Sequence, residues 1–142
     1  MKRRLIPRVD LITPNAYEAT VLTGIEVTDI ASARESARSL VDMGAKAALV
    51  KGGHIKGEPV DVLFDGRDFQ EFAGTRMDKR MHGAGCVLSA AIAARLALGD
   101  TLVAAIKFAK NYTTKAIEHS TRLGKGELDF FTGAIRDSEI PA

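Results

Sequence analysis

At 142 residues, with 46% hydrophobic and 27% charged residues, the chain has the length and composition of one globular domain able to bury a core. A net charge of +2 and 6% aromatic residues provide no basic, aromatic-studded surface for nucleic acid. Arg95 interrupts the best apolar run before it reaches bilayer-spanning length, and Pro7 and Arg8 break the stretch after the basic, solvated start Lys2-Arg3-Arg4, so neither a membrane span nor a signal peptide is expected. One cysteine, Cys86, forms no intrachain disulfide, which fits a reducing cytoplasm.

Val9-Asp10-Leu11-Ile12-Thr13 is short, β-rich and ended by Pro14, and reads as a strand. Asn15 with Glu18 has the form of a capping box opening a helix that runs to Thr23 and stops at Gly24. That cap is a sufficient structural role for both residues. Ser32 with Glu35 repeats the pattern before a helix whose apolar face is Ala33, Ala37, Leu40 and Val41, with Gly44 as its stop. Ala47-Ala48-Leu49-Val50 is continuously apolar, as in a buried parallel strand, and opens into the glycine loop Lys51-Gly52-Gly53-His54. Ligands of open α/β sheets gather at the carboxyl ends of strands, which singles out Thr13 and Lys51.

Val60 to Phe64 and Phe69 to Phe72, joined through Asp65-Gly66, read as a β-hairpin. Asp61, Asp65, Arg67, Asp68 and Glu71 fall to its solvated face and turn, without chemistry. Beyond Gly99, Asp100 is placed as the cap of a long helix carrying Leu102, Ala105, Ile106, Ala109, Tyr112, Ala116 and Ile117 at helical spacing. That stripe is core or interface. His119 reads as a helix-end residue, and residues 124–142, with Gly124, Gly126 and Gly133, as an irregular, partly mobile tail. His54 and His82 lack the second close ligand a zinc site would show.

The stretch Arg80-Met81-His82-Gly83-Ala84-Gly85-Cys86 is followed by the apolar run Val87 to Leu98. A glycine turn opening a buried helix presents unpaired amides and the positive end of the helix dipole, which suits a phosphate or an oxyanion. Cys86 falls in the first turn, where that field favours a thiolate. An ordinary turn followed by a cysteine acting as a small buried hydrophobe fits the same residues.

Four separated pieces, in order, resemble one family. Leu5-Ile6-Pro7 with Asp10 to Glu18, Leu49-Val50-Lys51-Gly52-Gly53-His54, Asp61 to Gly66, and His82-Gly83-Ala84-Gly85-Cys86 continuing to Ala94 resemble the ribokinase-like vitamin kinases, and among them the hydroxymethylpyrimidine/phosphomethylpyrimidine kinases of thiamine biosynthesis. Ala109-Lys110 with Tyr112 and Ala116-Ile117 looks similar too, so the resemblance covers roughly residues 5 to 120.

The resemblance implies an α/β fold: the C-terminal portion of a ribokinase-like three-layer sandwich, with part of the parallel sheet, a β-hairpin and flanking helices, as a single domain over residues 1–142. It implies phosphoryl transfer from ATP, with Mg2+, to hydroxymethylpyrimidine or its monophosphate. By likeness, the amides of Gly83, Ala84, Gly85 and Cys86 form the anion hole, and Cys86 is the acceptor base. Asn15 and Glu18 organise magnesium, in part through water, and Lys51 with Gly52 and Gly53 lies against the phosphates. Pyridoxal or pyridoxine kinase activity and a non-catalytic nucleotide-binding half are the alternatives. At the turn the family usually carries threonines where this chain has Met81, Ala84 and Val87, and Lys79 and Arg80 offer compensating charge. The likeness covers the family's C-terminal half, so an exposed strand edge and apolar surface are expected, covered by a second copy in a homo-oligomer or by a separately encoded N-terminal half, or left by truncation of a longer chain.

Overall fold

The computed structural model describes residues 2–53, 59–77, 81–123, 125, 129–131 and 135, without the side chains of residues 2 and 3. His54, Lys79, Arg80, Gly124, Gly126 and Gly133 lie outside the described residues. The chain divides into two compact units, residues 1–76 and 77–142.

In the first unit, α1 (Lys2–Leu5) leads into a 3-10 turn, Ile6–Arg8, that buries Ile6. The chain then runs parallel to β1 (Ala48–Val50). Ile12 donates to the Ala47 carbonyl at 3.1 Å, Leu49 to that of Ile12 at 2.8 Å, and Lys51 to that of Pro14 at 2.8 Å. The strand expected over Val9–Thr13 is therefore an extended segment with isolated bridges at Ile12 and Asn15, because Pro14 has no amide to continue the ladder between them. Lys46 reaches across to Asp10 at 2.6 Å and holds that carboxyl below its ordinary range.

Helix α2 (Ala16–Thr23) starts at the expected capping box: Asn15 Oδ1 accepts from the Glu18 amide and Glu18 Oε2 from the Asn15 amide, each at 2.8 Å. Helix α3 (Ile30–Asp42) starts earlier than its Ser32–Glu35 pattern implies. Asp29 is the cap, accepting the Ser32 amide at 2.8 Å, while Ser32 Oγ takes the Asp29 amide at 3.1 Å. A carboxylate three residues upstream thus takes the role, leaving Ser32 as the reciprocal partner and Glu35 outside the box.

A three-stranded antiparallel sheet follows, in the order β1, β2 (Val60–Phe64), β3 (Phe69–Ala73), with Leu49 opposite Leu63 and Asp61 opposite Phe72. Strand β1 therefore has a parallel neighbour on one side and an antiparallel one on the other, and the expected hairpin is present. Side chains alternate between faces. Ala48, Val50, Val62 and Phe64 join Ala33, Ala37 and Leu40 of α3 in the core, while Leu49 and Leu63 on the opposite face are fully buried as well. Each such Leu or Val contributes about 1.5–3 kcal/mol by leaving water. Over the outer edge, Arg38 lies 5.5 and 5.3 Å from the stacked rings of Phe64 and Phe69.

In the second unit, α4 (Ala84–Ala97) packs against α5 (Leu102–Glu118). The sequence suggests a buried α4, but only Leu88 and Ile92 along it are buried, and Leu98 just beyond is 75% exposed. Leu88 and Ile92, four residues apart, share the face turned to α5, and the alanines elsewhere are small enough to sit at the surface without a large apolar cost. Of the α5 stripe, Ala105, Ile106, Ala109 and Ala116 are buried, while Leu102, Tyr112 and Ile117 are half-buried. Thr101 caps α5, accepting from the Ala104 amide. Asp100, expected in that role, instead pairs with Arg95 at 2.6 Å. His119 ends α5 as its C-cap.

Within the stretch read as an irregular tail, β5 (Asp129–Phe130) pairs antiparallel with β4 (Thr121–Arg122). Most of the remainder lies outside the described residues. No helix among the described residues is long and apolar enough to cross a membrane.

Candidate active site

Two glycine-rich backbone elements carry the candidate residues, one in each unit. In the first unit, the parallel bridge between Asn15 and Lys51 sets the start of α2 beside the end of β1, so the structure brings Asn15, Glu18, Lys51, Gly52 and Gly53 into one neighbourhood. The loop after β1 is held from behind. Lys51 donates its amide to Pro14, and the buried Gly52 donates its own to Asp61 Oδ1 at 2.8 Å. A Cβ on Gly52 would overlap the Val60 carbonyl, so only glycine lets the loop pass this close to β2. Those two amides are taken within the protein, while Gly53 beyond them is exposed. Gly52 supplies closeness of approach.

The solvated hairpin face expected for Asp61 is overturned: this residue is only 8% exposed. The strand period carries the signal. Asp61 and Leu63 are two apart and share a face, and Leu63 is fully buried.

Glu18 is exposed, with Oε2 in the capping box and Oε1 without a partner among the described residues. Magnesium is ordinarily held by one or two carboxylates together with substrate phosphates and water, so this single carboxylate fits an outer or water-mediated ligand. No cluster of three or more His, Cys, Asp or Glu suited to a metal occurs among the described residues. Beside Glu18 an open concavity of about 390 Å³ is walled by Ile12, Pro14, Tyr17, Val21 and Leu22. Tyr17 and Val21, on α2, are 78% and 56% exposed, an apolar patch on that helix.

In the second unit, Gly83 adopts a left-handed conformation (φ 81°) at the start of α4, which a non-glycine residue would enter only with strain. Helices α2, α3 and α5 each use a side chain to satisfy a first-turn amide, whereas α4 has no side-chain cap and no acidic residue in its first turn. Among the described residues no side chain caps the amides of Ala84, Gly85 and Cys86, at the positive end of a 14-residue helix. Cys86, three residues after the N-cap, is exposed and free, so the alternative of a small buried hydrophobe does not hold.

The turn is tied on its upstream side. His82 donates its amide to the Asp129 carbonyl at 2.8 Å, Met81 bridges to Asp129, and the His82 ring lies 5.6 Å from Phe130. Met81 is 8% exposed and packs inward. The buried Asp129, with Arg122 Nε at 3.6 Å from its carboxylate, is a second residue that sequence reasoning misses, since it sits in a short pairing no local pattern reveals.

The family described as Phosphomethylpyrimidine kinase matches residues 1–130. A hydroxymethylpyrimidine/phosphomethylpyrimidine kinase of Aquifex aeolicus is 43% identical over 128 residues, covering 89% of this chain and 50% of that protein. A thiamine biosynthesis bifunctional protein of Geobacter sulfurreducens is 48% identical over 89% of this chain and 26% of its own length. Among solved structures, a Bacillus subtilis pyridoxal kinase in an ADP complex superposes with a TM-score of 0.85 at 34% identity, covering 92% of this chain and 53% of that one. A phosphomethylpyrimidine kinase from Clostridium difficile gives 0.69 at 35% identity, covering 82% and 46%. The chain therefore spans half or less of these curated relatives. Matched over most of its length in sequence and in fold, the chain belongs to the phosphomethylpyrimidine kinase family and has its ribokinase-like α/β architecture.

Proposed function

We propose that residues 1–142 act as one nucleotide-binding domain that transfers the terminal phosphoryl group of ATP to the hydroxymethyl oxygen of hydroxymethylpyrimidine, or to the phosphate of its monophosphate. The observation that carries this reading is the start of α4, which no side chain caps among the described residues, with Cys86 exposed in its first turn. It gains support from the family match and from a neighbouring kinase solved with ADP.

The bond from the terminal phosphorus to the bridging oxygen of ATP breaks, a bond to the acceptor oxygen forms, and ADP leaves. The amides of Ala84, Gly85 and Cys86, at the Gly83 turn, neutralise charge on the moving group, which is the main work a phosphoryl-transfer site must do. Cys86 accepts the hydroxymethyl proton. Lys51 and Gly53 hold the phosphates, while Gly52 lets the loop approach. Asn15 orients Glu18 through the capping box, and Glu18 would hold magnesium through water. Bound there, the metal would supply neutralisation of phosphate charge. The apolar face around Tyr17 and Val21 meets the acceptor-binding half of the fold, supplied by chain outside residues 1–142 or by a second copy. The free thiol fits a cytoplasmic setting.

The test is coupled ATP turnover by the purified chain with hydroxymethylpyrimidine and its phosphate, beside Cys86→Ala. Turnover lost in the variant supports the reading, and ATP binding without turnover in either protein supports a nucleotide half that needs a partner. Absence of ATP binding would falsify both. Pyridoxal kinase activity is the second reading, favoured by the TM-score of 0.85 against a pyridoxal kinase. Turnover of pyridoxal exceeding that of the pyrimidine would select it.

A further inference from the structure

Among the described residues the buried acidic side chains are Asp61 and Asp129, and each lies behind one of the two glycine elements. Asp61 has the more direct geometry. Its strand is otherwise Val60, Val62, Leu63 and Phe64, a sequence in which any β-branched residue would pair and pack without the cost of burying a carboxylate. The carboxylate instead accepts from a backbone amide that belongs to no strand ladder, that of Gly52 at 2.8 Å. Together with Pro14, which takes the Lys51 amide, and the Val60 carbonyl, against which Gly52 rests, it fixes two successive residues of the loop. Only past Gly52 does the chain become exposed, at Gly53.

We propose that Asp61 is a positioning residue for nucleoside triphosphate binding: its buried carboxylate holds Gly52 so that Lys51 and Gly53 face the phosphates, without itself touching the nucleotide. The inference rests on the assignment of Lys51 to Gly53 as phosphate-binding under the proposed function. The bond from the Gly52 amide solvates the buried carboxylate in part. It also keeps that amide from turning outward.

The experiment is calorimetric titration of the full chain with Mg·ATP, comparing the wild type with Asp61→Ala and Asp61→Asn and recording the thermal midpoint of each. Asn keeps a carbonyl oxygen for the Gly52 amide and removes the charge, whereas Ala removes the acceptor. The expected result is a rise of about tenfold or more in the ATP dissociation constant for D61A, of the size a lost charge-assisted hydrogen bond gives, with D61N within about threefold of wild type. Wild-type affinity in a folded D61A overturns the inference and leaves the nucleotide assignment standing. If D61A does not fold, D61N decides, because loss of ATP binding by a folded D61N equally overturns it. A wild-type chain that binds no ATP overturns the nucleotide assignment and this inference together.

Discussion

The loop leaving β1 and the turn entering α4 are both glycine-rich, yet they are built by opposite means. The first is pinned: the Lys51 and Gly52 amides are taken by Pro14 and Asp61, and Gly52 has backbone against it. The second is left open: nothing lies within 4 Å of where a Gly83 side chain would begin, and among the described residues no side chain caps the helix it starts. A pinned loop can aim a long cation such as Lys51, whereas an open helix start offers its own amides. The glycines therefore mean different things in the two places, close approach in one and a left-handed turn in the other.

The contrast is broken most severely at Cys86. Its replacement by Ala removes the proposed base from an exposed position, so turnover in a coupled assay should fall by about 100- to 10,000-fold with the thermal midpoint unchanged. A fall in both would assign the thiol to packing instead. Next, Gly52→Ala forces a methyl into the Val60 carbonyl, and urea unfolding should report a loss of about 1–3 kcal/mol as the loop and β2 separate. Gly83→Ala meets no atom and is destabilised only by its left-handed backbone, by about 1–2 kcal/mol, so it should be the milder of the two in the same measurement. The reverse order would show that the loop is not pinned.

The smallest effect belongs to a helix whose first turn is already capped. Hydrogen bonds from Ser32 hold the Asp29 carboxyl below its ordinary value, so its contribution is fully present above that value and is lost as pH falls through the lowered one. Acid titration of α3 by circular dichroism should show a loss in that window that Asp29→Asn abolishes. Helix α4 has no acidic residue in its first turn to give a corresponding transition.

Much of this architecture is legible in local sequence. The Asn15–Glu18 box, the stop at Gly24, the hairpin across Asp65-Gly66 and the glycine turn at Gly83 each depend on residues within about four positions of one another, where hydrogen-bond chemistry is local. Competition between neighbours is harder to read: Asp29 displaces Ser32 as a cap, and Thr101 displaces Asp100, because two suitable side chains stand close together and sequence does not rank their geometries.

Burial is settled at longer range. Asp61 reads as one more charge on a hairpin and proves to be the anchor of the loop after β1, because the face it shares with Leu63 is buried. Cys86 has the chemistry of a core residue as well as of a base and is exposed, because Leu88 and Ile92 take the face of α4 that meets α5. Met81 turns inward because Asp129, distant in the chain, pairs beside it. Turns, caps and strand periods follow from the amino-acid order alone, since they are written in nearest-neighbour sterics and hydrogen bonding. Which carboxylates, amides and thiol face solvent follows only from the folded chain, because that depends on which distant segment covers each face.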